Sequence, residues 1–301
     1  MRVYVNRTLR AMGWKEIDER LIRRGELLLD VSFLENYQEE LEAMNQDKTG
    51  RPFRLARSYI QLLSTVRYLY SMPYRQLEGF TRALNRLVPL IPSADYSGLR
   101  RRILALNPDP YAALKEDDRP AALAVDSTGV KVHRAGGWVE RKHGKRKKYV
   151  KLHFAVDVKS KEVVAMEIST DDTHDVKAFP RLVEKAEKRR HVSQALGDGA
   201  YDSADVFEEL EARGVEPIIK PRRNSRPDTP SQARRNAVRQ YMDLGHQAWA
   251  RLKGYGRRWI VETAFSTFKR LFGEHSLARN LENIARELVV KVSLYNRLAN
   301  L

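Results

Sequence analysis

The sequence predicts an α/β protein: a mixed sheet flanked by helices, preceded by an all-α, helix-turn-helix-like domain. Three observations carry that reading. Apolar residues recur at helical spacing as far as about residue 106, a polar break over 115–120 is followed by extended runs, and from about residue 176 helical and extended segments alternate. Three consecutive extended runs make hairpins, whereas later ones need helical crossovers, so the strand directions must be mixed.

Residues 1–57 mix short amphipathic pieces with charge and close on a polar turn that includes Asn45, Gly50 and Pro52; they form an N-terminal helical and loop segment without recognisable chemistry. Within 58–114, Ile60, Leu63, Val66 and Leu69 mark one helix, Met72-Pro73 breaks it, and 74–87 restarts it. A third helix over 96–106 carries Arg100, Arg101 and Arg102. The three fit a helix-turn-helix-like bundle whose basic end meets DNA, and equally an ordinary bundle with a solvated basic end.

A domain boundary near 115 opens the region 115–301. Residues 121–125 form a strand running into Asp126, and 149–158 and 163–168 form two more; a helix over 176–190 carries Pro180 in its first turns or at a kink. A strand over 193–196 runs to Asp198, a helix over 203–213 is closed by Gly214, and a strand over 215–220 is closed by Pro221. A short basic insertion, 222–250, precedes the last amphipathic helices.

Composition narrows the function. With 301 residues and 42% hydrophobic content the chain can bury a real core, and 55 Lys+Arg against 39 Asp+Glu leave a net charge of +16. That excess favours a polyanionic partner, most simply nucleic acid, with an anionic membrane surface as the weaker alternative. No apolar run is long enough to span a bilayer and no secretory leader is visible, so a cytoplasmic, nucleoid-associated location is expected and no membrane partner. The absence of cysteine excludes disulfides, thiolate zinc sites and cysteine nucleophiles. Any metal must be held by oxygen or imidazole.

One stretch gathers the chemistry. Tyr255, Glu262 and Lys269 repeat every seven positions and Arg258 precedes Glu262 by four, which places all four on one helical stripe opposite Ile260, Val261, Ala264, Phe268, Leu271 and Phe272. A surface helix with Glu262 paired to Arg258 fits these residues by themselves. Asp126 and Asp198, each at a strand end, change the balance: with Glu262 they make three carboxylates able to bind two hard divalent cations. Two cations about 3.5–4 Å apart permit in-line displacement at phosphorus. Arg258 and Lys269 then suit the substrate phosphates, and Tyr255 suits a base or a phosphate.

Rival acids read as local structure. Asp157 lies in a strand, Asp171, Asp172 and Asp175 crowd a turn before a helix, and Asp202 reads as the cap of the helix starting near Ser203. His133, His143, His153 and His174 show no metal-ligand spacing. Two basic runs add DNA-contact candidates: Arg141, Lys142, Lys145, Arg146, Lys147 and Lys148 in a hairpin with Trp138 and Tyr149, and Arg222 and Arg223 in a second run that reads equally as a solvated tail.

At these residues the chain resembles the DDE transposases of prokaryotic insertion sequences, in the group that joins the fourth and fifth insertion-sequence families. The Tyr255-x2-Arg258-x3-Glu262-x6-Lys269 spacing is that group's signature, and the segments around Asp126, from Lys151 to Asp157, from Gly197 to Asp202 and from Met72 to Phe80 resemble its motifs. The resemblance covers about 52–301. It implies an RNase H-like catalytic domain in which Asp126, Asp198 and Glu262 hold two Mg2+ ions, with Mn2+ as a substitute. It further implies nicking at the element's ends and attack of the freed 3′-hydroxyl on target DNA. Arg258 and Lys269 would contact DNA near the transferred end, with Tyr255 assisting. The implied partners are double-stranded terminal inverted repeats and target DNA, held by a homodimer or higher oligomer. The stripe Leu281, Ile284, Leu288, Val292 and Tyr295 suits such an interface or, more commonly, a core. Two alternatives stay open: a non-catalytic helix-turn-helix regulator, and an RNase H-like nuclease that cuts without joining.

Overall fold

The computed structural model describes residues 13–132, 149–170 and 175–301. The chain divides into two compact units, Met1–Leu106 with Leu301, and Asn107–Asn300. The boundary thus falls earlier than the expected 115, because residues 107–114 are tied into the second unit. Tyr111 Oη accepts from the Met166 amide at 3.0 Å, and the Pro110 and Ala113 carbonyls accept from Asn296 and Asn300 at 2.8 and 2.6 Å.

In the first unit the described helices are α1 (Trp14–Glu26), α2 (Tyr37–Asn45), α3 (Arg57–Leu69), α4 (Tyr74–Leu87) and α5 (Tyr96–Leu104). The segment before residue 57 packs with the rest: Phe33 stacks on Tyr59 with ring centroids 5.5 Å apart, and the Glu40 carboxylate accepts from the Ser58 amide at 3.0 Å. Pro73, pre-set at φ −60°, starts α4, and the Asp95 carboxylate caps α5 by accepting from Gly98 N at 2.8 Å. Arg100 and Arg101 are exposed. Arg102 turns inward instead, donating to the Leu55 carbonyl at 3.1 Å and lying over the Phe53 ring.

The second unit holds β1 (Ala121–Lys131), β2 (Tyr149–Asp157), β3 (Val163–Thr170), α6 (Ala178–Glu187), β4 (Val192–Gly197), α7 (Ala204–Ala212), β5 (Glu216–Ile219), α8 (Gln232–Leu252), α9 (Trp259–Phe272) and α10 (Leu281–Asn300). The sheet order is β3-β2-β1-β4-β5, antiparallel across β3-β2-β1 and parallel across β1-β4-β5. This is the mixed, RNase H-like sheet that was expected. Hairpin connections give the antiparallel half, and the crossover helices α6 and α7 give the parallel half.

Alternation along the strands sends side chains to two cores. Leu123, Val125, Ala195 and Ile219 pack against Phe179, Leu182, Phe207 and Leu210 of α6 and α7. On the other face Phe154 stacks on Phe265 of α9 at 4.7 Å and meets Phe268 edge-on at 5.5 Å, while Leu196 and Ile218 pack on Trp249 of α8. Ile284, Leu288, Val292 and Tyr295 of α10 are buried, so that part of the stripe is core, whereas Leu281 at its start is exposed.

The insertion expected at 222–250 is largely α8, bent at Gly245 (φ 69°). It hides from periodicity because only Val238 and Trp249 of its residues are buried. At the β2–β3 turn, Glu162 accepts from the Lys115 amide, Asn300 and Arg190, at 2.9, 2.5 and 3.0 Å, clasping three separate segments. Among the described residues no helix is long and apolar enough to cross a membrane.

Candidate active site

Asp126 does not end its strand as expected. β1 continues to Lys131, because β2 pairs with it along its whole length and draws Ser127, Thr128 and Gly129 into the ladder. What ends beside Asp126 is the other neighbour: β4 pairs with β1 only as far as Ala124 and stops at Gly197. Among the described residues the β1 edge therefore carries no strand partner from Val125 to Val130, short of the bridge between Lys131 and His275, and Asp126 sits at the mouth of that opening. Its cross-strand partner is Phe154, whose ring stacks under α9, so Asp126 points to the α9 face of the sheet.

Asp198 follows β4 directly, as expected. Its backbone is extended (φ −82°, ψ −179°), which continues the alternation and puts it on the same face as Leu196. Its carboxylate accepts from the Ala200 amide at 2.9 Å. Gly197 is required immediately before it, since a Cβ there would lie 2.6 Å from Cε2 of Phe179 and 3.1 Å from the Tyr201 ring.

Glu262 lies in the first turn of α9, whose buried residues Val261, Ala264, Phe265, Phe268 and Phe272 fix the helix on the sheet. The stripe is divided, as the glycines on either side of Tyr255 allow: Tyr255–Arg258 form a 3-10 turn entered through Gly254, which takes the left-handed conformation (φ 59°), and the helix starts only at Trp259. In consequence the Tyr255 ring packs on Trp249, with centroids 5.1 Å apart, instead of standing free on a helix face. Lys269 is half-buried two turns beyond Glu262.

Arg258 ties the acids together. Its guanidinium donates to Asp126 Oδ2 at 3.2 Å and to Glu262 Oε1, and its side chain is only 18% exposed. Burial pushes the Asp126 carboxyl above its ordinary 3.8; the Asp198 and Glu262 charges push the same way, while the Ser127 amide and Arg258 oppose them. Burial likewise pushes the Tyr255 hydroxyl up to about 12, with Asp198 and Asp126 contributing and Arg258 opposing, so this hydroxyl keeps its proton at neutral pH. Burial lowers the Arg258 pKa, but Tyr255, Glu262 and Asp126 together outweigh it, and the guanidinium is held above its ordinary value.

Among the described residues no three acidic or imidazole side chains are gathered as a ready-made cation cage. Arg258 has drawn Asp126 and Glu262 onto its own donors, whereas Asp198 is turned to its loop amide. The donor set still fits hard cations: Asp126 and Glu262 share one guanidinium, the Asp198 charge is near enough to act on Asp126, all the donor atoms are oxygen, and the electrostatic cost on Asp126 is what a divalent ion relieves.

That cost has a measurable consequence. The folded chain holds the Asp126 proton more tightly than the unfolded chain does, so the stability linked to it is complete below 3.8 and is lost as pH rises through the raised value. Asp126→Asn should therefore melt at a higher temperature than the parent at pH 7, with the gap narrowing as pH falls. A thermal-melt series checks it, and a lower melting temperature at pH 7 would refute it.

Other candidates are placed differently. Arg222 is exposed, but its side chain donates to the Gly199 and Ala200 carbonyls at 2.6 and 2.8 Å; Arg223 is exposed. Asp202 is not a helix cap. Ser203 caps α7, and Asp202 is buried, ion-paired to Arg234 at 2.6 Å and accepting from Ser225. Asp157 is buried at the end of β2 and accepts from the Lys159 amide at 2.8 Å, and His153 bonds Ser169 at 2.8 Å. Arg141, Lys142, Lys145, Arg146, Lys147 and Lys148 lie outside the described residues, as do His133, His143, Asp171, Asp172 and His174. Sequence reasoning missed Trp259, the first residue of α9, which is 68% exposed between Arg258 and Glu262; an aromatic at the edge of the stripe was the available signal.

Comparison with known proteins adds the following. Residues 117–297 match a family described as "Transposase DDE domain", and residues 22–135 match a second family of the same description. The cryo-EM structure of a piggyBac transposase synaptic complex with hairpin DNA is similar at a TM-score of 0.41 and 11% identity, over 91% of this chain and 73% of that chain.

Proposed function

This chain belongs to the DDE transposases, and on that premise we propose that Asp126, Asp198 and Glu262 are its acid triad, holding two Mg2+ ions that Mn2+ can replace. With them the enzyme nicks DNA at the ends of its element and joins the freed 3′-hydroxyls to target DNA. The observation that carries this reading is the convergence of Asp126 and Glu262 on Arg258, with the Asp198 charge close enough to raise the Asp126 carboxyl. DDE transposases as a class depend on divalent metal ions. When bound, such ions supply Lewis-acid stabilisation of the oxygens that attack and leave phosphorus.

The chain's own groups do the rest. Arg258 exchanges its carboxylate partners for a DNA phosphate, to which its planar fork offers two parallel N–H donors. Lys269 adds a second positive charge along α9. Tyr255, protonated at neutral pH, donates a hydrogen bond to a phosphate oxygen, and its ring stays seated on Trp249. Trp259 presents an exposed ring at the rim, suited to stacking on a base. The Tyr255, Arg258, Glu262 and Lys269 spacing supports placement in the group of the fourth and fifth insertion-sequence families. A homodimer or higher oligomer on paired inverted repeats fits an enzyme that must handle two ends.

The test is a strand-transfer assay with the full chain, Mg2+ and DNA carrying the inverted repeats that flank its gene. Nicked ends and, from precut ends, joined product are expected in Mg2+ and absent with EDTA. Binding without cleavage would replace this reading with a regulator, and cleavage without joining would replace it with a nuclease.

A further inference from the structure

We propose that Arg222, Asp202 and Arg234 are positioning residues that set the Asp198 carboxylate for cation binding; this rests on the role of Asp198 given above. The turn 198–202 is a single 3-10 turn, closed by the Tyr201 amide on the Asp198 carbonyl at 3.2 Å and the Asp202 amide on the Gly199 carbonyl at 3.3 Å. Within it the Asp198 carboxylate accepts from Ala200 N at 2.9 Å, and the Tyr201 ring is buried against Phe179 at 4.8 Å. These local bonds shape the turn, and the segment after β5 grips it from outside. Arg222 donates Nε to the Gly199 carbonyl at 2.6 Å and Nη2 to the Ala200 carbonyl at 2.8 Å, the two peptide oxygens that directly follow Asp198.

Arg222 is in turn fixed from beneath. Its backbone amide donates to Asp202 Oδ2 at 3.0 Å, and Asp202 also accepts from Ser225 Oγ and from both arms of Arg234, at 2.6 and 3.1 Å. Asp202 is buried, and these donors hold its carboxyl below the ordinary aspartate range despite the opposing effect of burial. It is therefore a charged anchor that joins the start of α8 to the turn carrying Asp198. A ligand carboxylate is only as well aimed as the backbone behind it, and loss of such supporting bonds typically costs about 10–100-fold in metal affinity or activity.

The assignment separates Arg222 from a DNA contact. A surface arginine on a phosphate affects DNA affinity and leaves cation binding in the absence of DNA untouched. The experiment measures Mn2+ affinity of the full chain without DNA, by electron paramagnetic resonance, together with DNA affinity and the nicking rate at saturating DNA. The variants are Arg222→Met, Asp202→Asn, Arg223→Met and Asp198→Asn.

Arg222→Met and Asp202→Asn should each weaken Mn2+ binding by about tenfold or more and slow nicking at saturating DNA. Arg223→Met should weaken DNA binding and leave Mn2+ affinity as it was. Arg222 is exposed, so its variant keeps the test valid even where Asp202→Asn unfolds the chain. Weaker DNA binding with unchanged Mn2+ affinity for Arg222→Met, alongside weakened Mn2+ binding for Asp198→Asn, overturns the positioning role alone. Unchanged Mn2+ affinity for Asp198→Asn overturns the role of Asp198 itself and the positioning role with it.

Discussion

Glu262→Gln is expected to slow nicking at the element's ends by about 10³-fold or more, corresponding to on the order of 4 kcal/mol of lost transition-state stabilisation. The amide keeps the shape of the side chain and leaves Val261, Ala264, Phe265 and Phe268 seated on the sheet, so the fold is undisturbed. It removes a negative charge and one oxygen donor from the acid set. Arg258 retains Asp126 at 3.2 Å and is freer to engage phosphate, so DNA affinity stays the same or rises slightly. Parallel gel-shift and nicking assays separate these effects. Nicking at the parental rate would remove Glu262 from the triad, and a matching collapse of DNA binding would make it a structural residue.

The second large effect concerns stability. Glu162 is 0% exposed and joins the Arg190 guanidinium, the Lys115 amide and the Asn300 side chain; Arg190 also donates to the Lys115 carbonyl. Glu162→Ala leaves Arg190 buried with Asp157, at 4.0 Å, as its remaining carboxylate. Breaking one side of a buried pair typically costs about 3–5 kcal/mol, much of a domain's whole stability. Urea unfolding should show the midpoint falling accordingly, and a loss within the scatter of surface substitutions would mean the clasp carries no weight. The same group makes stability acid-sensitive. Burial raises the Glu162 pKa, but its hydrogen bonds to Lys115, Ser160, Asn300 and Arg190 lower it more. Its contribution is thus full above the ordinary glutamate value of 4.5 and is lost as pH falls through the lowered value.

Much of the architecture was legible because it is written in local spacing. Ile60, Leu63, Val66 and the Met72-Pro73 break placed α3 and α4 within a residue or two, and the extended runs placed β2, β3 and β4 equally well. The insertion was not legible, since α8 buries too few side chains to leave a stripe. The end of β1 was misplaced for a related reason. Ser127, Thr128 and Gly129 look like a turn when read along the chain, and only the β2 ladder across from them holds them extended.

The candidate site divides along the same line. Residue type and spacing singled out Asp126, Asp198, Glu262 and Arg258, because carboxylates after apolar strands and an acid between cations on a helix stand out without any tertiary information. What each charged group touches was decided by the fold. Arg258 meets Asp126 across 132 residues of chain, Asp202 becomes a buried anchor because Arg234 and Ser225 arrive from the insertion, and Arg102 turns from a DNA candidate into a clasp on Phe53. The sequence by itself determined most of the elements, the mixed sheet and the acids, since periodicity and residue chemistry act over a few neighbouring positions. The tertiary structure alone decided the partners, since a charge pairs with whatever donor or acceptor comes within about 3 Å, and chain separation says nothing of that distance.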